Sequence, residues 1–289
     1  KNENHSFQVQ GRFNISSSSS NSIGMSVDGL PSSWLTAASS TAQIVSMSNS
    51  FSESRSLGYS GSAHYAYAGR YIADITLKRE GSSLFGENFR YGFFPAISTK
   101  WILSDEAFFE PLRPIISQLS PRFSIGINGN TPSEKYVHLS RYENAGQFID
   151  IPAVRPKNMR LANLRWEKTT QTNYGVDVEL LEGKYSTDFN YYFKHTTDLL
   201  FKDLGISSTS GYETLSNINT GTMNNYGWEF NFNARDVIRT EGFRMDANFN
   251  FSNNRNEIVE LSEEILARYN KEYDYKNGTY LTRIQPHNP

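Results

Sequence analysis

The sequence contains no cysteine, no long hydrophobic run and no excess of charge of either sign. Without cysteine there can be no disulfide, no thiol nucleophile and no cysteine-ligated metal. No window supplies the roughly 20 consecutive apolar residues that a membrane-spanning helix needs. The net charge of −2 lacks the basic excess that is usual in nucleic-acid-binding proteins. These absences exclude a helical membrane bundle and a thiol enzyme, and nucleic acid is not expected as a partner.

Catalytic and ligand-binding motifs are also missing. The sequence has no His-Glu-x-x-His pair, no Gly-x-Gly-x-x-Gly loop and no Walker-type loop. Nothing groups a nucleophile with a base, so we predict a protein that is not an enzyme and that has no catalytic, cofactor-binding or metal site. Five scattered histidines are expected to lie on the surface or in a polar lumen: His5, His64, His138, His195 and His287.

Aromatic residues are abundant, at 14% of the chain, and they recur at every second position. Tyr226, Trp228 and Phe230, for example, alternate with Gly227 and Glu229. Because successive side chains of a strand point to opposite faces, this alternation predicts strands with one apolar and one polar face. Nine segments carry the pattern: 7–15, 59–67, 71–77, 97–103, 123–127, 174–180, 185–193, 226–232 and 243–251.

Two architectures give such strands, a β-sandwich and a transmembrane β-barrel. A sandwich core is usually built from Val, Ile and Leu, whereas the apolar faces here are rich in Tyr, Phe and Trp and the opposite faces in Asn, Asp, Glu, Lys and Arg. Aromatic girdles around a polar interior are typical of barrels. Long and short connections also alternate, with short ones near 68–70, 182–184 and 235–242. We therefore predict an all-β, antiparallel transmembrane β-barrel.

Two short helices are expected between or after these strands. Ser104 is a suitable N-cap, with Asp105 and Glu106 in the first turn, where negative charge is favourable. A second helical stretch is expected at Ile258–Arg268.

Six segments resemble, in order, the signature segments of SusC-like (RagA-like) TonB-dependent transporters, the outer-membrane nutrient importers typical of the Bacteroidetes. Together they cover the chain from about Tyr59 to Asn256, and two mild departures are Glu80, where the family usually has Asp, and Ala96, where it usually has Ser. The segments are Lys78–Gly86, Arg90–Ala96, Lys100–Phe108, Asn163–Gly175, Tyr191–Leu200 and Asn224–Glu229.

The resemblance implies a barrel of about 22 strands enclosing a plug. Since about 10 residues form each spanning strand, the chain supplies only about nine strands of that barrel. We expect residues 1–289 to form a single partial barrel domain from the C-terminal half of a longer transporter. The chain begins at Lys1 without methionine, and it lacks the family's signal, plug and TonB-contacting segments.

Active import across the bacterial outer membrane is the function that the resemblance implies. The substrate would be a large nutrient, an oligosaccharide (glycan) or a peptide. The implied partners are a SusD-like surface lipoprotein, the TonB complex acting through the missing N-terminal part, and the lipid bilayer with its lipopolysaccharide. The alternatives are a passive porin-like channel, a barrel that serves as scaffold for a surface complex, and a soluble carbohydrate-binding module, which the alternating connections disfavour.

Candidate substrate-binding residues are the aromatic side chains of the predicted outer loops, which suit stacking on sugars or clamping of peptides: Trp34, Tyr136, Tyr142, Phe148 and Tyr212. Packing of these side chains onto the barrel or a partner is the structural alternative.

Signature residues of the resemblance are instead expected to serve structure. Gly81 is expected to supply a positive φ, with Ser82 and Ser83 bonded to backbone. Glu106 and Glu167 are expected to anchor loops, and Trp166 to lie where a strand enters the outer leaflet.

Overall fold

Nine antiparallel strands form one sheet in the computed structural model, which describes residues 4–29, 32, 34, 43–202, 204–212, 214–215, 217–269, 275–276, 279–280 and 286–287. Each strand pairs with its neighbours in the sequence, so spatial order follows chain order throughout. The strands are β1 His5–Asp28, β2 Gln43–Tyr67, β3 Tyr71–Ser82, β4 Tyr91–Trp101, β5 Ile116–Asn130, β6 Glu167–Leu180, β7 Tyr185–Thr197, β8 Thr222–Thr240 and β9 Phe243–Glu260. All nine predicted strands are present in this sheet.

The register places residues of like polarity side by side across the sheet. Ala63 pairs with Ile75, which pairs with Ile97, which in turn pairs with Ile125. Because paired residues share a face, the apolar positions form one continuous face and the polar positions the other. Most large side chains of the apolar face are exposed in the chain by itself. The sheet is open, with β1 and β9 at its edges.

Strand β1 is much longer than the alternation predicts. The run Ser16–Ser20, expected in a connection, lies within β1 and pairs residue for residue with Ser52–Ser56 of β2. Serine carries no hydrophobic signal, yet its backbone donates and accepts ladder hydrogen bonds like any other residue. The two strands thus extend as a ribbon beyond the end of β3.

Connection lengths follow the predicted alternation at most positions. Residues 68–70, 181–184 and 241–242 are short turns at one end of the sheet, whereas residues 131–166 and 198–221 are long connections at the other. The exception is the third connection, which the gap between the predicted strands 71–77 and 97–103 predicts to be long. It spans only residues 83–90 and is shorter than the fourth, residues 102–115, because β3 and β4 extend further than their apolar positions indicate.

The fourth connection contains 3₁₀ helices at Leu103–Asp105 and Ala107–Leu112. The predicted N-cap role of Ser104 is wrong, because Ser104 lies inside the first of these helices, where it is buried. Its carbonyl oxygen accepts a hydrogen bond from Arg113 Nε at 3.0 Å. The geometry is therefore a turn held by an arginine and not a capped α-helix.

The α-helix α1 spans only Glu263–Tyr269, since β9 continues to Glu260. The helical stretch predicted from Ile258 thus begins five residues too early. Ile265 of α1 packs with Leu204 and Leu261, joining the residues after β9 to the connection between β7 and β8. No helix among the described residues is long and apolar enough to cross a membrane.

Three shorter two-stranded ribbons lie outside the sheet and within long connections. The largest pairs Arg141–Phe148 with Ile151–Asn158 in the connection between β5 and β6. The other two pair Leu200–Phe201 with Ile218–Asn219, and Leu204–Gly205 with Thr214–Leu215. The long connections are thus themselves structured.

Candidate functional site

A continuous polar surface covers one face of the nine-stranded sheet. Its side chains alternate with the apolar ones, so they share a face by register. Hydrogen bonds and ion pairs link neighbouring strands across this surface from β2 to β9. We call it the polar face, and it is the face on which a solute would travel if the sheet closed into a barrel.

The strongest charges of the polar face meet at Asp177 of β6. Its carboxylate binds Lys100 Nζ at 3.2 Å and Arg122 Nη2 at 2.8 Å. Arg122 also donates to Asn190 Oδ1 at 3.0 Å, so one guanidinium joins β5 to β6 and β7. Asp188 of β7 lies opposite Asp177 in the register, so two cations and two carboxylates meet at this point of the face.

Arg122 reaches Asn190 because Gly175 lies beneath it. A Cβ atom at Gly175 would lie 2.7 Å from Asn190 Oδ1 and 3.1 Å from Arg122 Nη2. Glycine at this position therefore lets the guanidinium lie flat across β6. The charge cluster depends on a residue without a side chain, which no charge pattern in the sequence indicates.

On one side of this cluster, His64 Nδ1 lies 2.7 Å from Asp74 Oδ1, and Ser98 Oγ donates to Asp74 Oδ2 at 3.4 Å. The serine hydroxyl bonds the carboxylate and not the histidine. This order lacks the nucleophile-to-base contact of a hydrolytic triad.

On the other side, Asp188 accepts hydrogen bonds from Asn190 at 3.0 Å and from Asn231 at 2.9 Å. Tyr192 donates its hydroxyl proton to Asn254 at 3.1 Å. The polar face therefore combines hydroxyls, amides and charges, which suit hydrogen bonding to a hydrated polar solute.

At the long-connection end of the sheet, five buried side chains form a tryptophan cluster: Phe85, Phe94, Val137, Leu164 and Trp166. The Trp166 ring lies 4.6 Å from that of Phe85 and 5.2 Å from that of Phe94. Its indole Nε1 donates to the carbonyl oxygen of Arg90 at 3.2 Å. The predicted lipid-interface position of Trp166 is wrong, since the side chain is only 4% exposed. It joins the connections of residues 83–90 and 131–166 to β4.

Asn219 joins the two long connections, residues 131–166 and 198–221, to each other. Its amide donates to the carbonyl oxygens of Arg165 at 2.8 Å and Asp198 at 2.9 Å, and its Oδ1 accepts from the Arg165 backbone N–H at 2.8 Å. Arg165 Nη2 also binds Asp198 at 2.6 Å. Glu167 accepts from the backbone N–H of Leu200 at 2.9 Å, so its predicted anchoring role is confirmed.

The roles predicted around Gly81 hold in part. Ser82 Oγ accepts from Leu84 N–H at 3.2 Å and Ser83 Oγ from Arg55 N–H at 2.9 Å, as expected of loop hydroxyls. Gly81 itself does not have a positive φ. It is instead covered by the ring of Tyr91, which a Cβ at Gly81 would approach to 2.5 Å. Glycine is needed here because the ring of Tyr91 on the neighbouring strand lies over it, and not because the backbone turns.

Glu106 anchors the short-turn end, as predicted. Its carboxylate accepts hydrogen bonds from Trp101 Nε1 at 3.1 Å and from Arg70 Nη1 at 2.9 Å. A hydrogen bond from Tyr71, then that from Trp101, holds the pKa of Glu106 below its ordinary value. Arg70 adds an opposite charge that acts in the same direction.

We expect this carboxylate to make the short-turn end sensitive to acid. A carboxylate whose pKa is lower in the folded state contributes stability above its unfolded pKa, about 4.3, and loses it as the pH falls through the folded value. Glu106→Gln is therefore expected to lower the melting temperature at pH 7 and to match the wild type at the acid end. Melting curves of the purified intact barrel from pH 7 to pH 3 test this. An equal loss for Glu106→Gln at every pH contradicts it, and Glu110→Gln in the same connection is the control.

Of the five candidate aromatics, Trp34, Tyr142 and Phe148 are 91%, 68% and 70% exposed. Tyr142 and Phe148 belong to the ribbon of residues 141–158, whose tip residues Ile149 and Asp150 both have positive φ. Tyr136 is half-buried and its hydroxyl accepts from the Glu53 backbone N–H at 2.6 Å, which ties this connection to β2. Tyr212 is half-buried in residues 198–221. All five lie on long connections at one end of the sheet, but the structure does not gather them into one pocket.

Four histidines lie on the exposed or half-buried surface, as predicted. The exception is His138, which is buried between the tryptophan cluster and the backbone of Leu84. Burial lowers the pKa of His138, so its ring is neutral at pH 7. Within the described ranges, no group of three or more His, Asp or Glu residues has a geometry suited to a metal ion.

Sequence reasoning missed two polar residues that join distant segments, Asp177 and Asn219. Asp177 stands at an ordinary polar position of an alternating strand, and only its cross-strand neighbours give it two cations. Asn219 lies in a long connection whose sequence has no periodicity. There the sequence cannot distinguish a side-chain amide that bonds other segments from one that is only solvated. Their importance is set by contacts between distant segments.

Comparison with known proteins gives consistent matches. A family model described as "TonB dependent receptor-like, beta-barrel" matches residues 2–288. A TonB-dependent receptor of Formosa agariphila is 34% identical over 200 residues, which is 69% of this chain and 19% of that protein. The TonB-dependent receptor SusC of Bacteroides thetaiotaomicron is 31% identical over 214 residues, 71% of this chain and 21% of that protein. The chain thus spans about a fifth of the length of these curated relatives.

Solved structures with the same fold include that of the RagAB peptide transporter, with a TM-score of 0.81 at 21% identity over 92% of this chain and 29% of that chain. The RagAB peptide importer in its open-open state superposes with a TM-score of 0.78. At this identity the likeness concerns the fold alone. The open nine-stranded sheet is therefore a section of a larger barrel wall, which confirms the predicted fold class.

Proposed function

Because this chain belongs to the TonB-dependent receptor-like β-barrel family, we propose that it forms part of the outer-membrane wall of an active, TonB-dependent importer. The observation that carries the proposal is the division of one sheet into an aromatic face and a continuous polar face. The aromatic face suits contact with lipid, and the polar face suits a hydrated path. The protein's role is transport and not chemical conversion, and residues 1–289 act as one partial barrel domain.

The substrate is proposed to be a nutrient too large for a simple pore, either a glycan or a peptide. Amides, hydroxyls and paired charges such as Asn190 and Asp177 line the polar face, and these groups bind hydroxyl-rich and peptide solutes alike. The exposed aromatics of the long connections, Trp34, Tyr142 and Phe148, would meet such a solute first. The similar RagAB protein is a peptide transporter.

A SusD-like lipoprotein at the extracellular mouth and the TonB complex at the periplasmic side are the proposed partners. The long connections, which would contact the lipoprotein, are held together by the tryptophan cluster and by Asn219. A rigid rim of this kind suits a surface on which another protein docks.

Deleting the TonB-contacting segment of the parent transporter tests this function. Uptake of the nutrient on which the organism depends for growth is expected to fall to the level of a strain that lacks the transporter. Surface abundance of the barrel, measured in parallel, controls for assembly. Uptake that persists undiminished contradicts active import and identifies a passive channel instead.

The exposed ribbon aromatics give a second prediction. Replacing both Tyr142 and Phe148 with alanine in the parent transporter is expected to raise the half-saturating substrate concentration roughly fivefold, since two aromatic contacts of about 0.5 kcal/mol each sum to about 1 kcal/mol. Uptake kinetics measure it, with Val154→Ala as a matched control, because Val154 is equally exposed on the same ribbon but is not aromatic. Equal effects of the two variants contradict a role for these rings in substrate capture.

A further inference from the structure

An apolar groove with a basic rim lies on the aromatic face of the sheet, at the long-connection end of β2, β3 and β4. Its volume is about 380 Å³. Arg55, Arg90 and five serines line it together with Ile15, Leu57, Gly81 and Tyr91. These four belong to the apolar face by register, since Ile15 pairs with Leu57, which pairs with Gly81, which pairs with Tyr91. The groove is therefore open to whatever surrounds the barrel and not to the polar face.

The floor of the groove is shaped by one close approach. Gly81 has no side chain, and the ring of Tyr91 lies across it. This leaves a shallow depression beside Leu57 in a face that otherwise carries projecting aromatic rings. A depression walled by apolar groups accepts an acyl chain better than it accepts a polar solute.

The distance from the groove to a row of aromatic rings at the short-turn end equals the thickness of the apolar layer of a membrane. There the rings of Tyr67, Tyr71 and Trp101 stack in a row, with centroids 6.1 and 6.0 Å apart. Strand β3 runs from Tyr71 to Gly81, which is roughly 33 Å at about 3.3 Å per residue. A tilt of about 40° reduces this to about 25 Å along the membrane normal, the height of the apolar band of a barrel. The groove is then at the level of lipid head groups.

Two arginines without a carboxylate partner among the described residues, Arg79 and Arg90, lie at this level. The guanidinium carbon of Arg79 lies 4.9 Å from the centroid of the Tyr91 ring, and Arg90 lines the groove. In the described part of the chain, no carboxylate lies within ion-pair distance of either arginine. Arg55, also on the rim, is bound to Glu53 at 2.6 Å. Two arginines above an apolar groove thus lack an anionic partner.

We propose that this groove binds a phosphorylated glycolipid of the outer leaflet, with an acyl chain against Leu57 and Tyr91 and a phosphate held by Arg79 and Arg90. Guanidinium groups bind phosphate by paired, charge-assisted hydrogen bonds. An amphiphilic lipid would contact both the arginines and the apolar wall, whereas a free anion would contact the arginines alone. The assignment rests on the outer-membrane orientation of the proposed function.

Native mass spectrometry of the intact transporter, purified and reconstituted with defined lipids, tests the site. The probe is a bis-phosphorylated lipid A, compared with the same lipid lacking its phosphates and with inorganic phosphate. The double variant Arg79→Gln, Arg90→Gln is expected to bind the phosphorylated lipid about tenfold more weakly, the loss of one or two charge-assisted hydrogen bonds. The dephosphorylated lipid is expected to bind both proteins equally weakly.

The matched control is the double variant Arg12→Gln, Lys78→Gln, which also removes two positive charges. Both residues pair with Ser60, so they lie on the polar face at a level along the strands similar to that of the groove. Lipid binding equal to that of the wild type is expected. The proposal is overturned if both double variants lose lipid equally, if neither does, or if inorganic phosphate displaces the lipid at equal concentration. Since retained lipid is measured without transport, uptake that persists after deletion of the TonB-contacting segment, with lipid still bound, would refute the import function alone.

Discussion

Replacing Trp166 with alanine is expected to destabilise the barrel more than any other single substitution considered, by about 3–5 kcal/mol. The side chain is almost fully buried between Phe85 and Phe94, and its removal leaves a cavity that the rigid strand β4 cannot fill. The carbonyl oxygen of Arg90 also loses one of its two donors and keeps the backbone N–H of Ser82. Denaturant unfolding of the intact transporter in detergent, followed by the mobility difference between folded and unfolded barrel, measures the change.

Trp228→Ala is the matched control for this experiment. Trp228 is of the same residue type and also lies in the barrel wall, but it is 39% exposed on the aromatic face and stacks only on Phe189, with ring centroids 6.5 Å apart. We expect its replacement to cost much less in detergent, because no enclosed cavity forms. Equal losses for the two variants would show that Trp166 acts through its general apolar area and not as the centre of a packed cluster.

Replacing Asn219 with alanine is expected to cost about 2 kcal/mol and to loosen the two long connections that it joins. Three backbone groups of Arg165 and Asp198 lose their partner at once, although water can reach some of them. The Arg165–Asp198 ion pair at 2.6 Å remains, so the two connections separate only in part. Hydrogen exchange of residues 159–166 and 198–221 is expected to quicken selectively.

Asn144→Ala is the corresponding control. The Asn144 side chain accepts a hydrogen bond from Gly146 N–H at 2.7 Å within an exposed ribbon, so its loss affects one local turn. Exchange of residues 198–221 is expected to stay as in the wild type. If Asn219→Ala leaves exchange in those residues unchanged, the ion pair and Glu167 are sufficient to join the connections.

Much of the architecture can be predicted from the sequence because side chains on a strand alternate with a regular period of two residues. Alternating Tyr, Phe and Trp predict an apolar strand face from a few neighbouring residues alone. The register between strands then follows, because apolar positions of one strand pair with apolar positions of the next. The resemblance segments likewise mark positions whose contacts the structure explains. Phe85, Phe94 and Trp166 belong to three of the matching stretches and meet in one cluster at one end of the sheet.

Strand ends were the least accurate part of the prediction. Ser16–Ser20 lies in a strand because Ser52–Ser56 faces it across the ladder, and the ladder bonds backbone groups whatever the side chains are. The same reason shortens the third connection and displaces the start of helix α1. Local hydrophobicity reports where a strand contacts lipid and not how far its pairing continues.

By itself, the sequence determined the all-β class, the nine strands, their two unlike faces and the family resemblance, since all of these depend on residue type at fixed short spacing. Only the tertiary structure decided that Trp166 is buried, that Gly175 admits Arg122 to Asn190, and that Arg79 and Arg90 stand unpaired beside an apolar groove. Each of these depends on residues far apart in the chain, and the strand register that brings them within 3 to 5 Å is set by many backbone hydrogen bonds at once and by no single motif.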